Sequence, residues 1–121
     1  MARVTLLCPD LLFGSKVEGA LRAAGHDVDR LETEDAARAE APAGDLLVVD
    51  LTTDQLDGAM LVESMKMGGE LGAVPTLGFY SHVDQQTRRR AEEAGFDRMV
   101  PRSRMAREGA ALCEQLIAEA A

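Results

Sequence analysis

Side chains that can do chemistry follow apolar runs at four points along the chain. These stretches are Cys8-Pro9-Asp10, Asp50, Tyr80-Ser81-His82 and Pro101-Arg102-Ser103. A carboxylate at the end of a strand can act as a nucleophile, ligate a metal ion or simply begin a loop. A thiol in such a place can be activated as a nucleophile. The choice among these chemistries depends on the elements that position the four stretches.

The apolar pattern alternates between a strand-like and a helix-like period along the whole chain. It predicts strands over 3–8, 26–31, 46–50, 76–80 and 98–100, and helices over 12–24, 34–40, 58–67, 85–94 and from 103 onward. The run over 46–49 is continuously apolar, which is typical of a central parallel strand covered on both faces. Alternating strands and helices predict a parallel sheet with right-handed crossovers.

The predicted fold class is α/β, because five such units in 121 residues are too short for a barrel. They fit a flavodoxin-like, doubly wound, five-stranded parallel sheet of order 2-1-3-4-5, with helices on both faces. In this topology ligands collect where the strand order reverses, between the carboxyl ends of the first and third strands. We expect one domain over 1–121, with no output domain.

Composition excludes several classes of function. The formal net charge of −8 argues against binding to nucleic acids and to anionic membranes, which both need clustered positive charge. The two cysteines, Cys8 and Cys113, lack the spacing of a zinc site and indicate a reducing compartment. Because no signal peptide or long apolar run is present, we expect a cytoplasmic protein.

The spacing of Asp50 and the Asp57-Gly58 pair resembles the receiver domains of two-component response regulators, the CheY-like family. In these domains a phosphorylatable Asp ends the third strand, and a Gly follows eight positions later. The segments VPTLGFYSHVD and AEEAGFDRMVPRS look like the fourth-strand region and the approach to the fifth strand. The resemblance covers the whole chain and implies that Asp50 is the candidate phospho-acceptor of a phosphorelay.

Two positions depart from the family where its metal is held. Receivers carry two adjacent acidic residues after the first strand, which bind Mg²⁺, and Cys8 and Pro9 stand there in this chain. Mg²⁺ prefers oxygen ligands, so a thiol and a proline ring are poor substitutes. Asp10 and Asp50 are the candidate metal ligands and would bind weakly. We therefore expect no required cofactor, with Mg²⁺ as the only candidate.

The switch positions of the family also differ. Tyr80, followed by Ser81, stands where receivers have Thr or Ser, and Arg102 replaces the lysine of the fifth-strand loop. Met99 stands at the position of the switch aromatic. A guanidinium pairs with carboxylates more permanently than an ammonium, so we expect an Asp50–Arg102 ion pair. The resemblance thus implies a non-enzymatic pseudo-receiver with a degenerate phosphorylation pocket.

Such a domain would act through protein contacts. The resemblance places them on the face formed by the fourth helix, fifth strand and fifth helix, with a histidine kinase or a downstream effector as partner. The candidate surface residues are Arg88, Arg89, Arg90, Met99 and Met105. A homodimer through the last two helices is a further expectation.

The sequence leaves two alternatives open. The first is a functional receiver that is phosphorylated on Asp50. The second is a phosphocysteine enzyme using Cys8, although the Arg that a low-molecular-weight phosphatase needs six positions later is Gly14 here. The bulk of CPDLLFGS also disfavours a phosphate-binding loop, so a small buried hydrophobe is the simpler interpretation of Cys8. His82 is expected to be a solvated loop residue.

Overall fold

The chain forms one five-stranded parallel sheet of order β2-β1-β3-β4-β5. The computed structural model describes residues 1–81 and 84–121, so the expectation for His82 lies outside the described residues. The strands are β1 (Arg3–Leu7), β2 (Asp27–Leu31), β3 (Leu46–Asp50), β4 (Thr76–Tyr80) and β5 (Arg98–Pro101). The predicted α/β class and strand order are confirmed.

Helices cover both faces of this sheet. They are α1 (Leu11–Ala23), α2 (Glu34–Glu40), α3 (Gly58–Met67), α4 (Gln85–Ala94) and α5 (Arg102–Ala120), with a 3₁₀ turn at Ala41–Ala43. One apolar cluster joins α1 and α5 to the sheet, and a second joins α2, α3 and α4 to its other face. Within the described part of the chain, no helix is both long and apolar enough to span a bilayer.

Some element boundaries differ from the predicted ones by one or two residues. β1 ends at Leu7, one residue early, although the Cys8 amide still donates to the Leu31 carbonyl over 3.0 Å. The ladder stops there because Pro9 has no N–H to donate. At the other side of the sheet, β5 extends to Pro101 and α5 begins directly at Arg102.

Three helices begin with an Asp that caps them at the carboxyl edge of the sheet. Asp10, Asp57 and Asp84 each accept a hydrogen bond from the backbone N–H three residues later, at 3.0, 3.1 and 3.0 Å. These bonds satisfy amide groups that a helix leaves without partners in its first turn. The caps fix where α1, α3 and α4 start relative to the strand ends.

Gly58 allows α3 to pack closely against β3. A Cβ atom at this position would lie 2.5 Å from Val49 Cγ1 and 3.0 Å from Leu51 Cδ2. No ordinary side chain fits at that separation without moving the helix or the strand. The Asp57-Gly58 pair therefore caps the helix and brings its first turn close to the strand that ends in Asp50.

We predict that Gly58→Ala destabilises the domain by about 1–3 kcal/mol, because the added methyl group overpacks the contact with Val49. Gly19→Ala in α1 is the matched control, since no atom lies within 4 Å of a Cβ there. It should stabilise by about 0.5–1 kcal/mol through helix propensity. Urea unfolding measures both, and equal stabilisation by the two variants would contradict the packing argument.

Candidate functional site

A polar cleft lies at the carboxyl edge of the sheet, where β1 and β3 run side by side. The register pairs Leu7 with Val49, which brings Cys8 next to Asp50. The cavity has a volume of about 570 Å³. Its lining consists of Pro9, Asp10, Asp50, Thr52, Thr53, Asp54, Gln55 and Arg102. The structure thus brings together Asp10, Asp50 and Arg102 from three separate stretches of sequence.

The carboxylate of Asp50 is buried, with only 1% of the residue exposed. Its Oδ1 accepts hydrogen bonds from the Thr52 amide at 2.8 Å and the Thr52 hydroxyl at 2.6 Å. Its Oδ2 accepts a longer one from the Cys8 thiol, with Sγ at 3.6 Å. Among the residues that the structure describes, the groups that hold this carboxylate are all neutral donors.

Thr52 is a site residue that sequence reasoning missed. It supplies two of the three hydrogen bonds to Asp50, one from its backbone and one from its side chain. A usable signal was present, because an Asp whose side chain accepts from the amide two residues later forms a common local turn. Thr at the second position after an Asp adds a hydroxyl that can reach the same oxygen.

The predicted ion pair between Arg102 and Asp50 is wrong. Arg102 instead pairs with Asp10, with Nη2 3.1 Å from Oδ2. The reason is the ring of Phe13, whose centroid lies 4.2 Å from the guanidinium carbon. A cation stacked on this ring, in the first turn of α1, is held beside the cap residue of that helix rather than above β3.

Asp10 is therefore engaged through both oxygens. Oδ1 accepts from the Phe13 amide, and Oδ2 accepts from Arg102. The hydrogen bond from the Phe13 backbone is the main cause that lowers the pKa of this carboxyl, and the positive charge of Arg102 adds to it. Asp10 is ionised at neutral pH and serves as both a helix cap and an ion-pair partner.

Cys8 is fully buried beneath the cleft. Burial, together with the negative charge of Asp50, raises the pKa of its thiol to about 12. The thiol therefore stays protonated at neutral pH and can donate its hydrogen to Asp50. Because the thiolate is the nucleophilic form, this environment disfavours phosphocysteine chemistry.

The two switch candidates at the end of the fourth strand, Tyr80 and Ser81, lie in different surroundings. Tyr80 is buried at the end of β4, with 5% of the residue exposed. Ser81 lines a second cavity, of about 550 Å³, beside the first. The lining residues of this second cavity are Phe13, Thr52, Ser81, Arg102, Ser103 and Ala106. Ser81, and not Tyr80, thus shares a cavity with Arg102.

The candidate partner surface is only partly exposed. Met105 is wrong as a surface residue, because α5 turns it into the core, where 1% of it is exposed. Met99 is half-buried against the cluster beneath α3 and α4. Arg88 and Arg89 are exposed on α4, and Arg88 pairs with Glu92 at 3.2 Å.

Arg90 belongs to the fold more than to the surface. Two hydrogen bonds of 3.2 and 3.1 Å join its guanidinium to Glu63 on α3. Such a bidentate pair fixes both side chains and ties α4 to α3. The exposed positive charge of α4 therefore rests on Arg88 and Arg89.

The side chains of the cleft do not fit Mg²⁺ as they stand. Across residues 1–81 and 84–121, no group of three or more His, Cys, Asp or Glu side chains is arranged to hold a metal ion. Cys8 offers a protonated sulfur, and Asp10 is occupied by Arg102. Mg²⁺ requires several oxygen ligands in an octahedral arrangement, and the described acidic side chains of the cleft are not grouped in that way.

No protein-family model matches the sequence. The search of curated proteins found no significant match either.

Solved structures give a clear result for the fold. The chain superposes over its full length on the receiver domain of the Francisella response regulator 1452, with a TM-score of 0.85 and 14% identity, covering 100% of both chains. The structure of a response regulator from Chloroflexus aurantiacus gives a TM-score of 0.85 at 19% identity, with 97% of this chain and 98% of that one covered. The chain therefore has the receiver-domain fold of response regulators.

A further similar structure is the receiver domain of a sensor histidine kinase from Pseudomonas aeruginosa. It gives a TM-score of 0.84 at 18% identity, with 97% of this chain and 98% of that one covered. That domain was solved with a magnesium ion coordinated in its active-site cleft.

We predict that neither cysteine reacts with a thiol reagent in the native protein. A pKa near 12 lowers the thiolate fraction at pH 8 by about a thousandfold, and both thiols are buried. Labelling by Ellman's reagent should be complete in urea and negligible without it. Rapid native labelling that is lost in Cys8→Ser would show an activated thiol and revive the phosphocysteine alternative.

Proposed function

We propose that this protein is an atypical receiver, a non-enzymatic signalling module that acts mainly through protein contacts in a phosphorelay-type system. The observation that carries this proposal is the state of Asp50. Its carboxylate is buried, and both of its oxygens already accept hydrogen bonds from neighbouring neutral groups. A carboxylate held in this way is poorly placed to attack a phosphoryl group.

The charges around Asp50 support the same proposal. Phosphoryl transfer is catalysed largely by cations that stabilise the negative charge of the transferring group. Arg102, the cation that lines this cleft, is paired with Asp10. Cys8 and Pro9 stand where the family has its acidic pair, so the metal that would supply the missing charge has few ligands.

We infer that partners bind the exposed side of α4 and the adjoining α5–β5 surface, where Arg88 and Arg89 project. A histidine kinase or a downstream effector is the proposed partner class, and a homodimer through α4 and α5 is the second form of the same proposal. The described cysteines are unpaired, which favours a reducing, cytoplasmic setting.

Incubation with acetyl phosphate and Mg²⁺, followed by intact-mass spectrometry, tests the degenerate pocket. We expect no stable phosphoryl adduct on the wild-type protein, because Asp50 is buried and already hydrogen-bonded. Asp50→Asn is the matched control, since it is nearly isosteric and cannot form the acyl phosphate.

Two outcomes would overturn this proposal in different directions. An adduct that is lost in Asp50→Asn would identify a working phospho-acceptor. An adduct that survives Asp50→Asn but is lost in Cys8→Ser would identify phosphocysteine chemistry.

Charge reversal on α4 tests the contact surface. Arg88→Glu combined with Arg89→Glu should reduce capture of partner proteins from an extract of the source cells by about tenfold or more, as expected when interface charges are reversed. Lys16→Glu, on the exposed side of α1, is the control for a charge reversal outside α4, with half the change in net charge (−2 against −4). Equal capture by all three proteins would count against the α4 surface.

A further inference from the structure

We propose that the Arg102 guanidinium is the resident cation of the cleft, and that it keeps Asp10 from ligating a divalent metal. This inference deepens the proposed function and rests on it. It assigns to Arg102 the neutralisation of Asp10, which leaves this carboxylate without an oxygen free for a metal ion.

The Arg102 guanidinium lies between the ring of Phe13 and the carboxylate of Asp10. Phe13 forms its floor, with the ring centroid 4.2 Å from the guanidinium carbon. Phe13 is itself fixed by Phe79, at a centroid distance of 5.1 Å. The carboxylate of Asp10 lies at the edge of the guanidinium, with Oδ2 3.1 Å from Nη2 of Arg102. An aromatic face and a carboxylate together satisfy a planar cation better than they would an ammonium.

These contacts leave Asp10 unavailable as a metal ligand. Its Oδ1 caps α1 through the Phe13 amide, and its Oδ2 faces Arg102. A cation that approached Asp10 would meet the positive charge of Arg102 directly. Removing this charge would free Oδ2 in a cavity that Asp50 also lines.

The carboxylate of Asp50 does not require a metal for its own stability. Asp50 takes two hydrogen bonds from Thr52 and one from Cys8, so its oxygens are satisfied without a neighbouring cation. Arg102 can therefore be committed to Asp10 without leaving Asp50 unpartnered. Asp10 and Asp50 thus have separate partners.

Titration with MgCl₂ alone, at constant ionic strength, tests the inference through calorimetry and the Tm. We expect wild type to show no saturable binding, and Arg102→Met to bind Mg²⁺ at least about tenfold more tightly. The effect is modest because the Arg102–Asp10 pair is half-exposed. Arg104→Met, on the same helix and paired with Glu108, is the control and should behave like wild type.

The double variant Asp10→Asn/Arg102→Met should lose the gained affinity, because the freed ligand is then absent. If Arg102→Met does not fold, Arg102→Gln carries the same expectation, since it is neutral and keeps an amide donor. Mg²⁺ binding by wild type equal to that of Arg102→Met would overturn the inference. So would the absence of a gain, or a gain that survives Asp10→Asn.

The titration contains no phosphodonor, so its result does not depend on whether Asp50 can be phosphorylated. Phosphorylation of Asp50 in a protein without Mg²⁺ affinity would reject the pseudo-receiver and leave the role of Arg102 standing. Mg²⁺ binding by the wild-type protein without phosphorylation would reject the role of Arg102 and leave the pseudo-receiver standing.

Discussion

A carboxylate buried at the end of a central parallel strand must receive hydrogen-bond donors from its own edge of the sheet. Asp50 meets this requirement with Thr52, two residues later on the same loop, and with Cys8 on the adjacent strand. The β1–β3 pairing makes the second contact available, and the packing of Gly58 on Val49 holds the loop close to the strand. The cleft is organised around this one satisfied acid.

The position of Arg102 follows from the same arrangement. Because Asp50 is already supplied with donors, the cation that opens α5 is free to serve another acid. It settles on Phe13 and Asp10, and thereby connects the start of α5 to the start of α1. These two helices also share the apolar cluster on their side of the sheet. The Arg102–Asp10 ion pair therefore adds a polar contact to the apolar packing of α1 against α5, at the rim of the cleft.

The fold followed from sequence because its signals are local and redundant. The alternating strand-like and helix-like periods predict where the elements lie, and the continuously apolar run over 46–49 predicts a central parallel strand. Met105 shows a local signal that was available but unused. It lies seven and eleven residues before Leu112 and Leu116, which is the spacing of the same buried helix stripe.

The site was less accessible to sequence reasoning because it depends on side-chain direction across elements. Asp10 and Asp50 are both acids at the correct edge, and nothing in the spacing of residues states which one a guanidinium from α5 will reach. Phe13, on the helix α1 that Asp10 caps, holds the guanidinium of Arg102 beside Asp10. The hydrogen bonds that satisfy Asp50 likewise come from Cys8 and Thr52 together, and the one from Cys8 is evident only when strands β1 and β3 are placed side by side.

The order of the strands leaves β2 and β5 at the two margins of the sheet. β2 carries Asp27, Asp29 and Arg30, and the short β5 begins with Arg98 and ends with Pro101. Charged margins resist the addition of a foreign strand, since each new ladder would have to desolvate them. Both margins of the sheet thus disfavour its growth by backbone pairing with a foreign strand.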